Sequence, residues 1–274
     1  ISKRNVILGL ITVIFISLVS FFSKPYFFDY QTNKEVIQKQ INNYLKTDTK
    51  INGDISFNFF PSPRLVVEDI ELNLDNESNY KIYLKKSNLI LSPINLKSID
   101  NLKLKKIYVQ KQKIKLYPEI IKKYLIFLKN PNIGMIDFNN CEFFFEDNQS
   151  NIITINKVNF KNKVSNKKLK FSIKGLFSSH KFKINFINNL EKEKLFDFSM
   201  PILDTKLKIK FDKNSSLDKA SGKLNLKFFN NILLVNFYRD ETYKISNSYY
   251  RSKYLNSRLD GSINFKNNFF FNLN

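Results

Sequence analysis

Alternation of apolar and polar residues runs through most of this chain and restricts its fold more than any other feature. Residues 51–59 read INGDISFNF, with Ile51, Ile55, Phe57 and Phe59 on one parity and mainly polar residues between them. A period of two is typical of a β-strand that buries one face. Similar segments recur as far as Phe269–Leu273, separated by turn-prone stretches such as DNES, EDNQSN and DKNSS. The pattern predicts a meander of short antiparallel strands.

Most of these strands have one apolar face and one polar face, and a sheet with one apolar face must bury it. It can do so against a second sheet, in a closed barrel or in a curled groove. The chain has 28 Phe, 6 Gly and no Trp. Small closed barrels need glycines or bulges at their corners, so this composition favours a curled, partly open groove.

An open groove lined by Phe and Leu would be a large apolar patch, and such patches indicate a ligand or a partner. An acyl lipid fits a long apolar trough with lysines near its rims. We therefore predict a lipid-binding lining from the apolar positions of the clearest strands: Ile55, Phe57, Phe59, Val66, Ile70, Leu72, Phe171, Ile173, Ile184, Phe186, Ile209, Phe211, Leu226, Phe228, Ile263 and Phe265.

Helical patterns precede the strands and interrupt them once. The segment Val6–Phe22 has no charged residue, and as a helix it reaches roughly 25 Å, enough for a bilayer core. It lacks a good cleavage site, which favours an uncleaved anchor over a signal peptide. An amphipathic helix is predicted within Gln31–Lys46, and an interrupting helix near residues 118–130.

The predicted fold class is therefore mainly β, with a transmembrane helix, a short amphipathic helix and a long curled antiparallel sheet. We expect three parts: a membrane anchor at 1–23, a helical linker at 24–50 and a β-groove domain at 51–274. We also expect the chain to be a piece of a longer protein. Lys3 and Arg4 precede the anchor, so the positive-inside rule places the N-terminus in the cytoplasm.

The net charge of +21 is carried mainly by lysine, because only five of the 45 basic residues are Arg. In KLKIKF (Lys206–Phe211) the lysines alternate with apolar residues, which predicts a solvated lysine face. Attraction to anionic lipid headgroups remains an alternative. Nucleic acid is not an expected partner, since its recognition relies on Arg forks. A nucleotide-biased genome would also enrich Lys, Asn, Ile and Phe.

Motifs of catalysis and cofactor binding are missing from the sequence. Cys141 and His180 are the only cysteine and the only histidine, so neither an internal disulfide nor a metal site is expected. The sequence contains no GxSxG, HExxH or P-loop motif. We expect a protein that is not an enzyme and that has no cofactor.

The stretch INGDISFNFFPSPRLVVEDIELNL, after an anchor and an amphipathic helix, resembles the N-terminal part of the AsmA family. The resemblance rests on Gly53, Pro61 and Pro63, on the acidic pair Glu68–Asp69, and on apolar residues around them at Ile51, Ile55, Phe57, Leu65 and Leu72. The later strands ASGKLNLKF and LDGSINF resemble the glycine-bearing strands of the same family.

The resemblance implies a single-pass protein of the bacterial inner membrane, with most of its chain in the periplasm as a long β-groove. It implies relation to bridge-like lipid transfer proteins, phospholipid as ligand, and a role in phospholipid transport to the outer membrane and in its assembly. Lipid would enter just above the bilayer, where the apolar lining begins with Phe57, Phe59, Val66, Ile70 and Leu72. Two alternatives remain: a scaffold that regulates outer-membrane protein targeting and contacts assembly components without carrying lipid, and a bridge component of lipopolysaccharide transport.

Overall fold

The computed structural model describes residues 3–73, 81–120, 123, 124, 127, 133–146, 151–165, 168–189, 194–212, 220–239, 242–264 and 270–273. The chain forms two compact units. Unit 1 comprises Ile1–Asp137 with Glu146–Gln149, and unit 2 comprises Phe138–Phe145 with Ser150–Asn274.

Unit 1 begins with two α-helices, α1 (Lys3–Ser23) and α2 (Lys34–Leu45). A 3-10 turn at Lys24–Phe27 lies between them. The strands that follow are β1 (Asp48–Ile51), β2 (Ile55–Asn58), β3 (Arg64–Asn73), β4 (Lys81–Leu91), β5 (Leu104–Gln110) and β6 (Lys113–Leu116). The next strand, β7 (Ile136–Glu146), has its middle part, Phe138–Phe145, in unit 2.

Unit 2 continues with ten strands: β8 (Asn151–Ser165), β9 (Lys168–Phe177), β10 (His180–Asn189), β11 (Lys194–Met200), β12 (Thr205–Phe211), β13 (Ser221–Phe228), β14 (Asn231–Arg239), β15 (Tyr243–Arg251), β16 (Asn256–Asn264) and β17 (Phe270–Leu273). From β8 to β17, each strand pairs antiparallel with the next one along the chain.

The predicted fold class is confirmed: the protein is mainly β, with an apolar N-terminal helix, a second helix and one long sheet. In the described residues β1 and β2 pair with β3, and β17 pairs with β16, so the sheet is not closed. The predicted interrupting helix near 118–130 lies largely outside the described residues. Of that segment, Pro118–Ile120 form a 3-10 turn and Lys123, Tyr124 and Phe127 are helical.

The apolar N-terminal helix is exposed from Val6 to Ser20, and its last residues, Phe21 to Ser23, are half-buried. Among the described residues, Val6–Phe27 is the one segment long and apolar enough to cross a membrane. Beyond it, the Tyr26 ring meets Phe57 at 4.9 Å between centroids, and the Phe22 ring meets Phe59 at 5.2 Å. These contacts fix the end of the anchor against β2.

The predicted strand Ile51–Phe59 is two short strands separated by a bulge. Both β1 and β2 pair with β3, and between them the Asn52 N–H donates to the Asp69 carbonyl at 2.9 Å. Opposite the bulge, Asp69 has a φ of 50°. A Cβ on Gly53 would lie 2.7 Å from the backbone oxygen of Glu68, so the bulge requires glycine at this position.

The bulge changes which residues of β3 face the core. Val67 lies opposite Ile55 and Leu65 lies opposite Phe57, whereas Ile70 lies opposite Ile51. Residues of odd number therefore face the core before the bulge, and residues of even number face it afterwards. A one-residue irregularity of this kind moves every following side chain to the other face.

Helix α2 covers the apolar face of unit 1, as its amphipathic pattern predicts. Ile37, Ile41 and Leu45 are completely buried, and so are the strand residues Leu65 and Leu89. Polar side chains of α2 also cap the backbone of β1. The Asn42 side-chain oxygen accepts the Thr49 N–H at 2.9 Å, and the Gln38 oxygen accepts the Ile51 N–H at 3.2 Å. Unit 1 thus fills its own core and protects a strand edge.

Candidate functional site: the apolar face of unit 2

Two uninterrupted apolar rows cross the sheet of unit 2. Directly opposed residues of antiparallel strands share a face, and six successive strands, β9 to β14, place an apolar side chain in each row. The first row is Phe171, Phe186, Phe196, Ile209, Leu224 and Val235, and the second row is Ile173, Ile184, Phe198, Leu207, Leu226 and Leu233. We call these twelve residues the apolar face.

Each row is long enough for an extended hydrocarbon chain. Six strands span five interstrand spacings, or about 24 Å. One leaflet of a bilayer has an apolar depth of about 15 Å. None of the twelve residues has a polar side-chain atom, so the apolar face can hold an acyl chain lying across the strands but offers nothing to a headgroup.

Burial of the apolar face changes along the sheet. Phe171 and Phe186 are buried and stack with ring centroids 4.9 Å apart, and Phe160 of β8 meets Phe171 at 6.4 Å. The ten other residues of the apolar face are half-buried. The described part of unit 2 contains strands and one 3-10 turn, Pro201–Leu203, but no α-helix to cover this face. In unit 1 the helix α2 covers the apolar side of the sheet, whereas no helix in the described part of unit 2 does the same for its apolar face.

The reverse face of the same strands is basic. Lys206, Lys208 and Lys210 of β12 are exposed and alternate with half-buried Leu207, Ile209 and Phe211, as the sequence predicts. Some of these lysines directly oppose other lysines: Lys206 lies opposite Lys227 and Lys210 lies opposite Lys223. The two faces thus differ completely in chemistry, which fixes the strand register.

The structure places the predicted lining residues in four different environments. In unit 1, Ile55, Ile70 and Leu72 are buried in the core covered by α2, and Phe57 and Phe59 contact the aromatic rings at the end of the anchor. Lipid entry beside these residues was expected from the sequence, but their side chains are packed against other parts of the protein.

Val66 does not share a face with the other predicted residues of unit 1. It lies opposite Ser56 and Asn88, whereas Leu65 and Val67 face the core. The prediction that Val66 lines the same surface as Ile70 and Leu72 is wrong, because the bulge opposite Asp69 shifts the parity between them.

The predicted residues of unit 2 do come together on one face. Six of them belong to the apolar face: Phe171, Ile173, Ile184, Phe186, Ile209 and Leu226. Phe211 and Phe228 lie on the same side of the sheet near the strand ends, and Ile263 of β16 lies opposite Tyr243. Phe265 lies outside the described residues. Contact of any of these residues with lipid stays a prediction.

Sequence reasoning missed half of the apolar face: Phe196, Phe198, Leu207, Leu224, Val235 and Leu233. The largest omission is β11, KLFDFSM, whose alternation of Phe196 and Phe198 with Asp197 and Ser199 was available in the sequence. Strand β15 was missed for a different reason. Register shifts occur on both of its sides, so Ile245 and Ser248 share a face although their numbers differ in parity.

Ionisable groups with shifted pKa values lie away from the apolar face and have structural roles. Burial raises the pKa of Tyr44 to about 12, while its hydroxyl donates to the Lys105 carbonyl and accepts the Met135 N–H at 2.9 Å. A hydrogen bond from Lys227 lowers the pKa of Asp204. Among the described residues, no group of three or more His, Cys, Asp and Glu could hold a metal ion.

A helix long and apolar enough to cross a membrane, followed by a long, open antiparallel sheet, defines the class as a β-sheet protein with a candidate membrane anchor. Residues 1–119, from α1 to the turn after β6, match the model of the AsmA family, so this part of the chain is similar to AsmA-family proteins. The resemblance carried by Gly53 and the Pro-Ser-Pro turn is thereby confirmed. No curated protein and no solved structure matches the chain significantly.

Proposed function

We propose that this protein binds phospholipid by holding acyl chains on the apolar face of unit 2. In this role it supports phospholipid transport to the outer membrane and the assembly of that membrane. The observation that supports this proposal most directly is the pair of six-residue apolar rows, which are half-buried and have no helical cover within the described part of unit 2.

Ten of the twelve side chains of the apolar face are only half-buried, so part of this apolar surface stays in contact with water when no ligand is bound. Removing apolar surface from water contributes about 25 cal/mol per Å², so a lipid chain laid along the rows gains free energy from both surfaces. Such a ligand needs no directional polar contact, which agrees with the apolar side chains of both rows. Binding of this kind is non-covalent, and we propose that the protein has no catalytic step.

The apolar N-terminal helix and its flanks support the proposed location. The segment Val6–Phe27 can span a bilayer, and Lys3 and Arg4 precede it. By the positive-inside rule the N-terminus lies in the cytoplasm. We therefore propose a single-pass protein of a bacterial inner membrane, with both units in the periplasm.

The first experiment compares two charges on the same strand. Leu226 belongs to the apolar face, and its neighbour Asn225 is exposed on the reverse face. The full chain, Leu226→Glu and Asn225→Glu are purified gently from membranes, and phospholipid per chain is measured by native mass spectrometry and lipid extraction. We expect bound phospholipid in the parent chain and in Asn225→Glu, and a clear loss in Leu226→Glu.

A second readout separates lipid binding from a loss of folding. A photo-crosslinking amino acid at Phe237, which is half-buried on the side of the apolar face, should capture lipid. The same group at Tyr238, which points to the reverse side and is 46% exposed, should not. A folded parent chain without phospholipid, or equal crosslinking at both positions, would contradict the proposal and favour a scaffold role.

A further inference from the structure

One end of unit 2 exposes large hydrophobic side chains on four hairpin turns in succession. These turns join β9 to β10, β11 to β12, β13 to β14 and β15 to β16, so antiparallel pairing brings them all to the same end of the sheet. The exposed residues are Phe177, Ile202, Leu203, Phe228, Phe229, Tyr254 and Leu255. We call the four turns, residues 177–180, 201–204, 228–230 and 252–255, the turn rim.

Neighbouring turns of the rim are joined by side-chain contacts. The Lys227 ammonium lies 2.8 Å from the Asp204 carboxylate, which connects the third turn with the second. The Tyr250 hydroxyl lies 3.1 Å from the Asn231 side-chain oxygen, which connects the fourth turn with the third. With two strands per hairpin, the rim extends over about 29 Å. It is therefore a continuous ridge and not a set of separate loops.

Turn chemistry does not explain these hydrophobic residues. Phe229 and Asn230 form a two-residue hairpin turn with φ values of 42° and 64°. Gly, Asn and Asp favour such positions, and a bulky residue there is uncommon. Phe229 is nevertheless 52% exposed, so burial in the core does not explain it either. Tyr254 is 88% exposed.

Basic residues accompany the exposed hydrophobic ones. Lys181, Lys227, Arg251 and Lys253 lie within or directly beside the four turns, and Asp204 is the one acidic residue there. At the opposite end of the same strands, Tyr238 is the one exposed large hydrophobic side chain among the described residues of unit 2. The turn rim therefore combines apolar and cationic groups at one end of unit 2.

We propose that the turn rim docks on the interface of an anionic phospholipid bilayer. Aromatic and aliphatic side chains insert at the level of the headgroups, while Lys and Arg attract anionic lipids. A protein partner fits less well, because the centres of protein–protein interfaces are depleted in lysine. This docking goes beyond acyl-chain binding on the apolar face and does not depend on it.

The test places a fluorescent probe on the rim of the full chain, reconstituted into vesicles through its own anchor. Tyr254→Cys is labelled with an environment-sensitive dye, and Asp212→Cys, exposed at the opposite end of β12, is the matched control. Cys141 is buried and protected from labelling. The vesicles contain phosphatidylcholine with or without phosphatidylglycerol.

Lipids carrying a spin-label quencher are added either to the host vesicles or to a second vesicle population. We expect quenching of the Tyr254→Cys probe in one of these arms when phosphatidylglycerol is present, and the arm identifies which bilayer is contacted. The Asp212→Cys probe should not be quenched. Absence of quenching in both arms, or equal quenching of the two probes, would overturn the proposal.

Charge and hydrophobicity are then tested separately. The pair Arg251→Gln and Lys253→Gln should weaken docking about fivefold per charge, and added salt should have a similar effect. Ile202→Ser with Phe229→Ser should reduce quenching without changing the phospholipid extracted with the protein. Intact quenching in this variant would contradict the docking proposal. A parent chain that carries no phospholipid but whose Tyr254→Cys probe is quenched would instead contradict the proposed function alone, so the two proposals fail in distinguishable ways.

Discussion

Tyr44 illustrates how much a single side chain does in unit 1. Its hydroxyl bonds to backbone groups of Lys105 and Met135, and its ring occupies the space beside Gly134. A Cβ on Gly134 would clash with that ring. The helix α2 is thus tied to the sheet by a tyrosine that requires a glycine opposite it.

Replacing Tyr44 by Phe should destabilise unit 1 by about 1–2 kcal/mol, because two backbone groups lose their partner. The effect should depend on pH. The pKa of Tyr44 is about 12 in the folded protein and 10 in the unfolded chain, so the unfolded chain loses its proton first as the pH rises. Stability from this group is full below pH 10 and is lost between 10 and about 12.

Urea unfolding of the parent chain and of Tyr44→Phe over this pH range measures the difference in unfolding free energy between them. Titration of the many lysines affects both chains alike and cancels in the comparison. The difference in unfolding free energy should shrink as the pH passes 10. A constant difference up to pH about 12 would show that Tyr44 is not held in its neutral form by burial.

At the scale of elements, the bulge between β1 and β2 is the feature that most affects the neighbouring strands. Gly53→Ala would place a methyl group against the Glu68 backbone, and overpacking of this kind costs about 1–3 kcal/mol. Hydrogen exchange of β1 to β3 should then become faster. Ser56→Ala in β2 is the control, because Ser56 is exposed and its loss should change little. Equal effects of the two substitutions would contradict a special role for Gly53.

Element types were predictable from the sequence wherever periodicity was regular. The alternation in KLKIKF predicted β12, and the spacing of Ile37, Ile41 and Leu45 predicted the buried face of α2. Bulges were not predictable, because nothing in the sequence around Glu68 and Asp69 marks an irregularity. The bulge is visible only in the pairing of β3 with β1 and β2. The side of Val66, the split of residues 51–59 and the existence of β15 all depended on such irregularities.

The candidate site could be predicted only in part for a related reason. A strand pattern shows which residues share a face, but it does not show whether another element covers that face. Ile55 and Ile209 have equivalent patterns in the sequence, yet Ile55 is 5% exposed in the core of unit 1 and Ile209 is half-buried. What distinguishes them is packing of α2, a contact between distant parts of the chain.

At the scale of the whole molecule, the two units should respond differently to lipid. A ligand that binds only the folded state slows local opening where it binds. Removal of bound phospholipid should therefore speed hydrogen exchange in β9 to β14, whose side chains form the apolar face. Exchange in β3 to β5, which α2 covers, should stay unchanged. Faster exchange in β3 to β5 alone would place the lipid in unit 1 and contradict the assignment.

The pairing of each strand from β8 to β17 with its immediate neighbour makes the sheet of unit 2 a structure of adjustable length. Insertion of one hairpin adds about 10 Å to the row of strands and requires no change elsewhere in the register. Duplication of a short gene segment would thus lengthen the apolar path in regular increments. In such a protein, the number of hairpins sets the length of the apolar face along the row of strands.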